Sequence, residues 1–317
     1  MSKPDVLVAA KFPPYLLDKL RQDFNVHERL HETDPAAFAA VAPKIRAIAC
    51  GGESKVPRAL MDQMPALEMI SVQGVGYDGV DVAAALERKV PVSHTPNVLN
   101  DDVADLAIAL MLSVARRIPQ SDRYVRENRW PGGAFPLARK MSGARLGIVG
   151  IGRIGQAIAH RAAAFGMSIA YTARSQKKEL PHKYYPSATA LAAQVDFLVV
   201  ITPGGAATAK MINREVLDAL GPDGYLLNVA RGSVVDQEAL IEALKQGRIA
   251  GAGLDVFDGE PQVPQALREM DNVVLTPHIG SATDATRQAM ADLCHANLAA
   301  HFAGQPLPSA VPEWLAR

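Results

Sequence analysis

Residues 144–149, Ala144-Arg145-Leu146-Gly147-Ile148-Val149, make a short apolar run that passes directly into Gly150-Ile151-Gly152-Arg153-Ile154-Gly155, and residues 156–165 then have helical character. This order of strand, glycine turn and helix is what a dinucleotide fingerprint requires, and it commits the chain to a βα unit open to an anion. Gly150 permits the tight turn, Gly152 lets the backbone approach a pyrophosphate, and Gly155 lets helix and strand pack closely. The amides at the helix start, those of Arg153 and Ile154 among them, favour the negative charge.

Short apolar runs alternate with helical patterns along the whole chain, the signature of parallel sheets with crossover helices. A first series places strands near 6–10, 45–49, 69–72 and 90–93, with helices around 15–22, 36–41, 58–64 and 82–88. A second places six strands, from 146 through 168–171, 197–201, 225–229 and 253–257 to 273–275. The expected fold class is therefore α/β, with two doubly wound parallel-sheet domains and a cleft between them. The expected boundaries are 1–98, 99–284 and a C-terminal helical segment, 285–317, that returns to the first domain.

Composition narrows the function classes. The chain has 317 residues, of which 49% are hydrophobic and 21% charged, ordinary for a globular α/β protein. Lys plus Arg equals Asp plus Glu at 33 each, so no domain-wide basic field invites nucleic acid or an anionic membrane. The apolar run at 6–10 is too short for a signal-peptide core, and no stretch of ~18 apolar residues offers a membrane span. A cytoplasmic location is expected. Cys50 and Cys294 lack any metal-ligand spacing and read as reduced structural thiols.

Residues 101–116 read as a helix with Val103, Ala104, Leu106, Ala107, Ile108, Ala109, Leu110, Met111, Leu112 and Val114 on every side. Such a helix is expected to be buried all round, and its place at the domain junction favours a homodimer interface over burial inside one subunit.

Three charged residues stand at strand ends in the second series. Reduction of a 2-keto acid needs a bidentate cation for the carboxylate, which Arg231 offers. It also needs a proton donor beside the carbonyl oxygen, a task for His278, and a carboxylate that fixes the imidazole tautomer and favours the imidazolium, a task for Glu260. Singly each has a bland reading as surface ion pair, core histidine or loop carboxylate. Jointly they point to a catalytic set.

Four segments carry a more specific likeness: Val72-Gln73-Gly74-Val75-Gly76-Tyr77-Asp78, Asn228-Val229-Ala230-Arg231-Gly232, Gly253-Leu254-Asp255-Val256-Phe257-Asp258-Gly259-Glu260-Pro261 and Thr276-Pro277-His278-Ile279-Gly280-Ser281. In this order they resemble the signature segments of the D-2-hydroxyacid dehydrogenase family, and within it the glyoxylate/hydroxypyruvate reductases. The resemblance implies a Rossmann cofactor domain and a flavodoxin-like substrate domain, with Arg231, Glu260 and His278 as the catalytic residues. It implies that the amides of Gly74, Val75 and Gly76 grip the substrate carboxylate, and that Asp255 contacts the nicotinamide amide. Thr202, Pro203, Val229, Ala230 and Gly280 are cofactor contacts by the same likeness. Leu99, Asn100 and Trp130 are expected on the pocket rim.

NADPH is expected to be preferred over NADH. An NAD site normally offers a carboxylate about 20 residues after the glycines, yet residues 156–178 contain no Asp or Glu. Instead Arg174, Ser175 and Lys177 supply donors for a 2′-phosphate. The alternative function is a dinucleotide-sensing, corepressor-like binding protein on the same fold.

Two chance motifs are set aside. His27-Glu28-Arg29-Leu30-His31 matches a zinc-protease string, but Phe24, Val26 and Leu30 alternate, and on a strand the imidazoles would stand ~13 Å apart. No metal is expected. Tyr15 and Lys19 match a short-chain reductase pair but precede the dinucleotide unit where that pair should follow it.

Overall fold

The structure is a computed structural model and describes residues 3–316. The chain divides into two compact units, one formed by residues up to Leu99 together with those from Thr283 onward, the other by Asn100–Ala282.

The first unit holds five parallel strands: β1 (Asp5–Val8), β2 (Asn25–Glu28), β3 (Ile45–Gly51), β4 (Met69–Gln73) and β5 (Val92–Ser93), in the order β2-β1-β3-β4-β5. This is the flavodoxin-like order. Successive side chains serve opposite faces. Leu7, Ile48, Ile70 and Val92 build one core. Val6, Val8, Ala47 and Met69 build the other, where they meet Ala291 and Leu298 of the Asp284–Phe302 helix. The late helix thus covers a sheet made more than 200 residues earlier. Cys294 on this helix and Cys50 on β3 are buried thiols, and burial pushes the Cys294 pKa up to about 11.

The second unit holds seven parallel strands: β6 (Arg145–Val149), β7 (Ser168–Thr172), β8 (Lys183–Tyr184), β9 (Phe197–Val200), β10 (Tyr225–Asn228), β11 (Gly251–Leu254) and β12 (Val273–Leu275). Their order, β12-β11-β10-β9-β6-β7-β8, is the Rossmann order with one strand added beyond the sixth. The order reverses between β6 and β9, and ligands of such sheets bind at that switch point, beyond the strand C-termini.

Several sequence expectations need correction. The second sheet has seven strands, because β8 is a two-residue edge strand, Lys183–Tyr184, too short and polar to register as an apolar run. The Asn100–Arg116 helix is not buried all round. Val103, Ala107, Leu110, Met111 and Val114 are buried, whereas Asp105, Ala109 and Arg116 are exposed and Leu106, Leu112 and Ser113 half-exposed. Those positions recur at three- and four-residue spacing, so they make one face. His27 lies on β2 and His31 on the Leu30–Thr33 helix, separated by Arg29 at φ 48, so the zinc string spans two elements. The helix expected at 15–22 is present as Pro14–Asp23, and it carries Tyr15 and Lys19, the latter paired with Asp292.

Candidate active site

The glycine turn follows β6 at the C-terminal end of the second unit's strands. Gly150 has φ 103, and a Cβ there would lie 2.8 Å from the Ile201 carbonyl oxygen. A Cβ on Gly155 would lie 2.2 Å from the Gly150 oxygen. These two glycines are required by the fold itself. Gly152 differs, since a Cβ there would meet nothing within 4 Å, and it forms the N-cap of the Arg153–Ala163 helix without a capping side chain. An open, uncapped helix start with its N–H groups exposed is what a pyrophosphate needs. The residues present therefore fit a dinucleotide.

After β7 the chain enters the loop of Arg174, Ser175 and Lys177, all exposed. Tyr171 shapes it, accepting from the Lys177 N–H at 2.7 Å and donating to the Lys177 carbonyl at 3.2 Å. Half-buried Thr202 and exposed Pro203 follow β9, while Val229 and Ala230, both buried, follow β10.

Arg231 follows β10 by three residues, in extended backbone with φ −142. Asn228 at the strand end holds this corner, since its side-chain oxygen accepts from the Ala230 N–H at 3.1 Å and its amide donates to the Arg231 carbonyl at 3.0 Å. The guanidinium donates to the Ala230 carbonyl at 2.7 Å. Next, a Cβ on Gly232 would fall 1.9 Å from the Phe257 carbonyl carbon. Only glycine lets the Arg231 corner press against the segment that leads to Glu260.

Glu260 uses both carboxylate oxygens. Oε1 accepts from the Phe257 N–H at 2.7 Å, and Oε2 lies 2.7 Å from His278 Nδ1. Burial raises the Glu260 pKa, but the His278 and Phe257 hydrogen bonds and the charges of His278 and Arg231 outweigh it and hold the carboxyl below its ordinary value. The group is thus an anion at neutral pH.

His278 sits at φ 52, left-handed backbone that is uncommon outside glycine but in which histidine is enriched. Asp255 holds this corner. Its carboxylate accepts from the Thr276 hydroxyl at 2.7 Å and from the N–H groups of Ile279 and Gly280 at 2.8 and 2.9 Å, and its carbonyl accepts the His278 N–H at 2.9 Å. Burial raises the Asp255 carboxyl above its ordinary pKa against the pull of those donors.

Arg231, Glu260 and His278 are therefore brought to neighbouring corners beyond β10, β11 and β12. Asn228, Gly232 and the Phe257 N–H were not anticipated. Asn228 carried the one visible signal, an asparagine at a strand end, where its amide can close a turn. Gly74, Val75 and Gly76 belong to the other unit, where they form the half-buried turn after β4.

Residues 108–280 match the family described as D-isomer specific 2-hydroxyacid dehydrogenase, NAD binding domain. The chain belongs to the D-2-hydroxyacid dehydrogenase family. A relative within it, the hydroxyphenylpyruvate reductase of Plectranthus scutellarioides, is 47% identical over 95% of this chain and 97% of that protein. The 2-ketogluconate reductase of Gluconobacter oxydans is 45% identical over 96% and 98% of the two chains. Among solved structures, the NADPH-dependent glyoxylate/hydroxypyruvate reductase from Sinorhizobium meliloti, in complex with NADP and malonate, superposes with a TM-score of 0.94 at 46% identity over 99% and 98% of the chains. Membership of this family makes the chain an NAD(P)-dependent oxidoreductase, a 2-hydroxyacid dehydrogenase. The alternative of a sensing protein finds no counterpart among these relatives. No helix among the described residues is long and apolar enough to cross a membrane.

Proposed function

We propose that this enzyme reduces a small 2-keto acid, glyoxylate, hydroxypyruvate or a close relative such as 2-ketogluconate, to the D-2-hydroxy acid, with NADPH preferred over NADH. The observation that carries the reading is the 2.7 Å contact between His278 Nδ1 and Glu260 Oε2 on the sheet end that also bears Arg231.

A nicotinamide dinucleotide held by these residues would supply the hydride. The protein supplies the rest. Arg231 clamps the substrate carboxylate and stabilises the oxygen as it gains charge, because a guanidinium offers two parallel donors. With Nδ1 engaged by Glu260, the proton that reaches the new hydroxyl leaves His278 from Nε2. The Gly74, Val75 and Gly76 amides are assigned to carboxylate binding, with the unit containing residues up to Leu99 as the substrate domain and Asn100–Ala282 as the cofactor domain. In the latter, Gly150, Gly152, Arg153, Ile154 and Gly155 take the pyrophosphate, Arg174, Ser175 and Lys177 the 2′-phosphate. Thr202, Pro203, Val229, Ala230, Asp255 and Gly280 line the remainder of the dinucleotide site. An exposed basic loop without a carboxylate supports the NADPH preference.

A homodimer is part of the proposal. Leu106, Ala109 and Leu112 lie on the open face of the Asn100–Arg116 helix, and Ile118, Val125, Trp130 and Leu137 that follow are exposed large apolar side chains. Leu137 is 99% exposed, and such a run of apolar surface is characteristic of a subunit contact.

The test is a panel of glyoxylate, hydroxypyruvate, 2-ketogluconate and phenylpyruvate with each dinucleotide, compared by kcat/KM. Turnover of at least one with NADPH is expected. Failure with all four would remove the reading.

A further inference from the structure

The two residues that follow β5, His94 and Thr95, both bond to the glycine turn that follows β4. The Thr95 N–H donates to the Gly74 carbonyl at 2.8 Å. His94 Nδ1 lies 2.9 Å from the Val75 carbonyl oxygen. A carbonyl oxygen only accepts, so the ring carries its proton on Nδ1. Both peptide bonds of the turn are trans, and in a trans peptide the C=O and N–H point in opposite directions. Tying the Gly74 and Val75 carbonyls to the end of β5 therefore turns the Val75 and Gly76 N–H groups the other way, side by side. Consecutive amides so aligned form an anion-binding concavity.

His94 is held firmly enough to serve as a template. It is 9% exposed, and its ring meets Tyr77 edge to face with centroids 5.3 Å apart. Its backbone N–H donates to the Ser309 carbonyl at 3.1 Å, and its carbonyl accepts from the Ser309 hydroxyl at 2.7 Å. Ser309 is anchored in turn by fully buried Asn297, whose amide donates to the hydroxyl at 2.8 Å and whose oxygen accepts the Ser309 N–H at 3.1 Å. The backbone of His94 is thus fixed without its ring, and the Nδ1 bond acts on the turn.

We propose that His94 is a positioning residue for the substrate carboxylate. Its Nδ1–H fixes the Val75–Gly76 peptide so that the Val75 and Gly76 amides face the anion, and Ser309 and Asn297 hold His94 in register. The proposal rests on the reading that this turn takes the carboxylate.

Two variants of matched shape separate the hydrogen bond from mere packing. Asparagine puts an amide nitrogen about where Nδ1 stands, whereas leucine has the same branching and no donor. His94→Leu is expected to raise the keto-acid KM about tenfold, with the KM for NADPH and the melting temperature nearly unchanged, and His94→Asn to stay within about twofold of wild type. A leucine variant with wild-type keto-acid KM, or an asparagine variant as impaired as leucine, overturns the role of His94. Should the leucine variant not fold, Ser309→Ala carries the test, with a rise of roughly threefold in the same KM expected and an unchanged KM overturning it. Wild-type enzyme inactive on every 2-keto acid removes the carboxylate reading and this proposal together, whereas active wild type with indifferent variants removes the proposal alone.

Discussion

His278 Nδ1 and Glu260 Oε2 lie 2.7 Å apart, and the second oxygen of the same carboxylate is occupied by the Phe257 N–H at 2.7 Å. The carboxylate can neither rotate away nor turn its other oxygen to the ring without losing a bond, so the imidazole is fixed in tautomer and direction.

This coupling predicts a pH effect with a definite sign. His278 holds the Glu260 pKa down, and by reciprocity the Glu260 anion favours the charged imidazole. In Glu260→Gln the imidazolium is lost at lower pH. Because reduction needs the imidazolium, the alkaline limb of kcat/KM should move to lower pH. A limb that stays in place or moves up contradicts the coupling.

The glycine turn predicts two unlike alanine variants. Gly155→Ala puts a methyl 2.2 Å from the Gly150 oxygen and should cost about 1–3 kcal/mol or more of stability, read as a lower melting temperature. Gly152→Ala meets no protein atom within 4 Å at an unstrained φ of −75, so its apo stability should stay within about 1 kcal/mol of wild type. Its KM for NADPH should nevertheless rise by more than about tenfold, because a methyl obstructs the approach to the pyrophosphate. Comparable behaviour of the two variants in melting and kinetics would show that the open side of Gly152 is not the cofactor's.

Cofactor choice is read from Arg174→Ala. Loss of a charge-assisted hydrogen bond to the 2′-phosphate should raise the KM for NADPH roughly 10- to 100-fold and leave that for NADH nearly unchanged. Equal losses for both dinucleotides would place Arg174 away from the phosphate.

Subunit association is tested on exposed positions. Leu110 and Met111 are 2% and 0% exposed, so a charge there would break the fold of the unit itself. Ala109→Glu combined with Leu137→Glu should leave a folded chain and halve the mass measured by light scattering. A wild type that is already monomeric sinks the dimer.

Much of this was legible in the residues for a physical reason. β9 is buried throughout and β6 and β10 in all but their first residue, so they read as largely apolar runs, and the glycine turn announced itself through what surrounds it. β8, Lys183–Tyr184, did not, because a short edge strand has no apolar pattern to show. The Asn100–Arg116 helix misled because Leu106, Ala109 and Leu112 are as apolar as its buried residues, so composition alone does not tell which of its faces packs on the fold. Arg231, Glu260 and His278 were readable as chemistry from their strand ends. Gly232 and His94 were not, since the first matters only through Phe257 and the second only through Val75, contacts that exist once the strands have paired.

The most direct test of the account compares wild type with His278→Ala for NADPH oxidation by hydroxypyruvate, alongside NADPH binding by fluorescence. Robust wild-type turnover, a kcat lowered on the order of 100-fold or more in the variant, and nearly equal NADPH binding are predicted. Turnover by the variant at the wild-type rate would contradict the assignment of His278 as the proton donor.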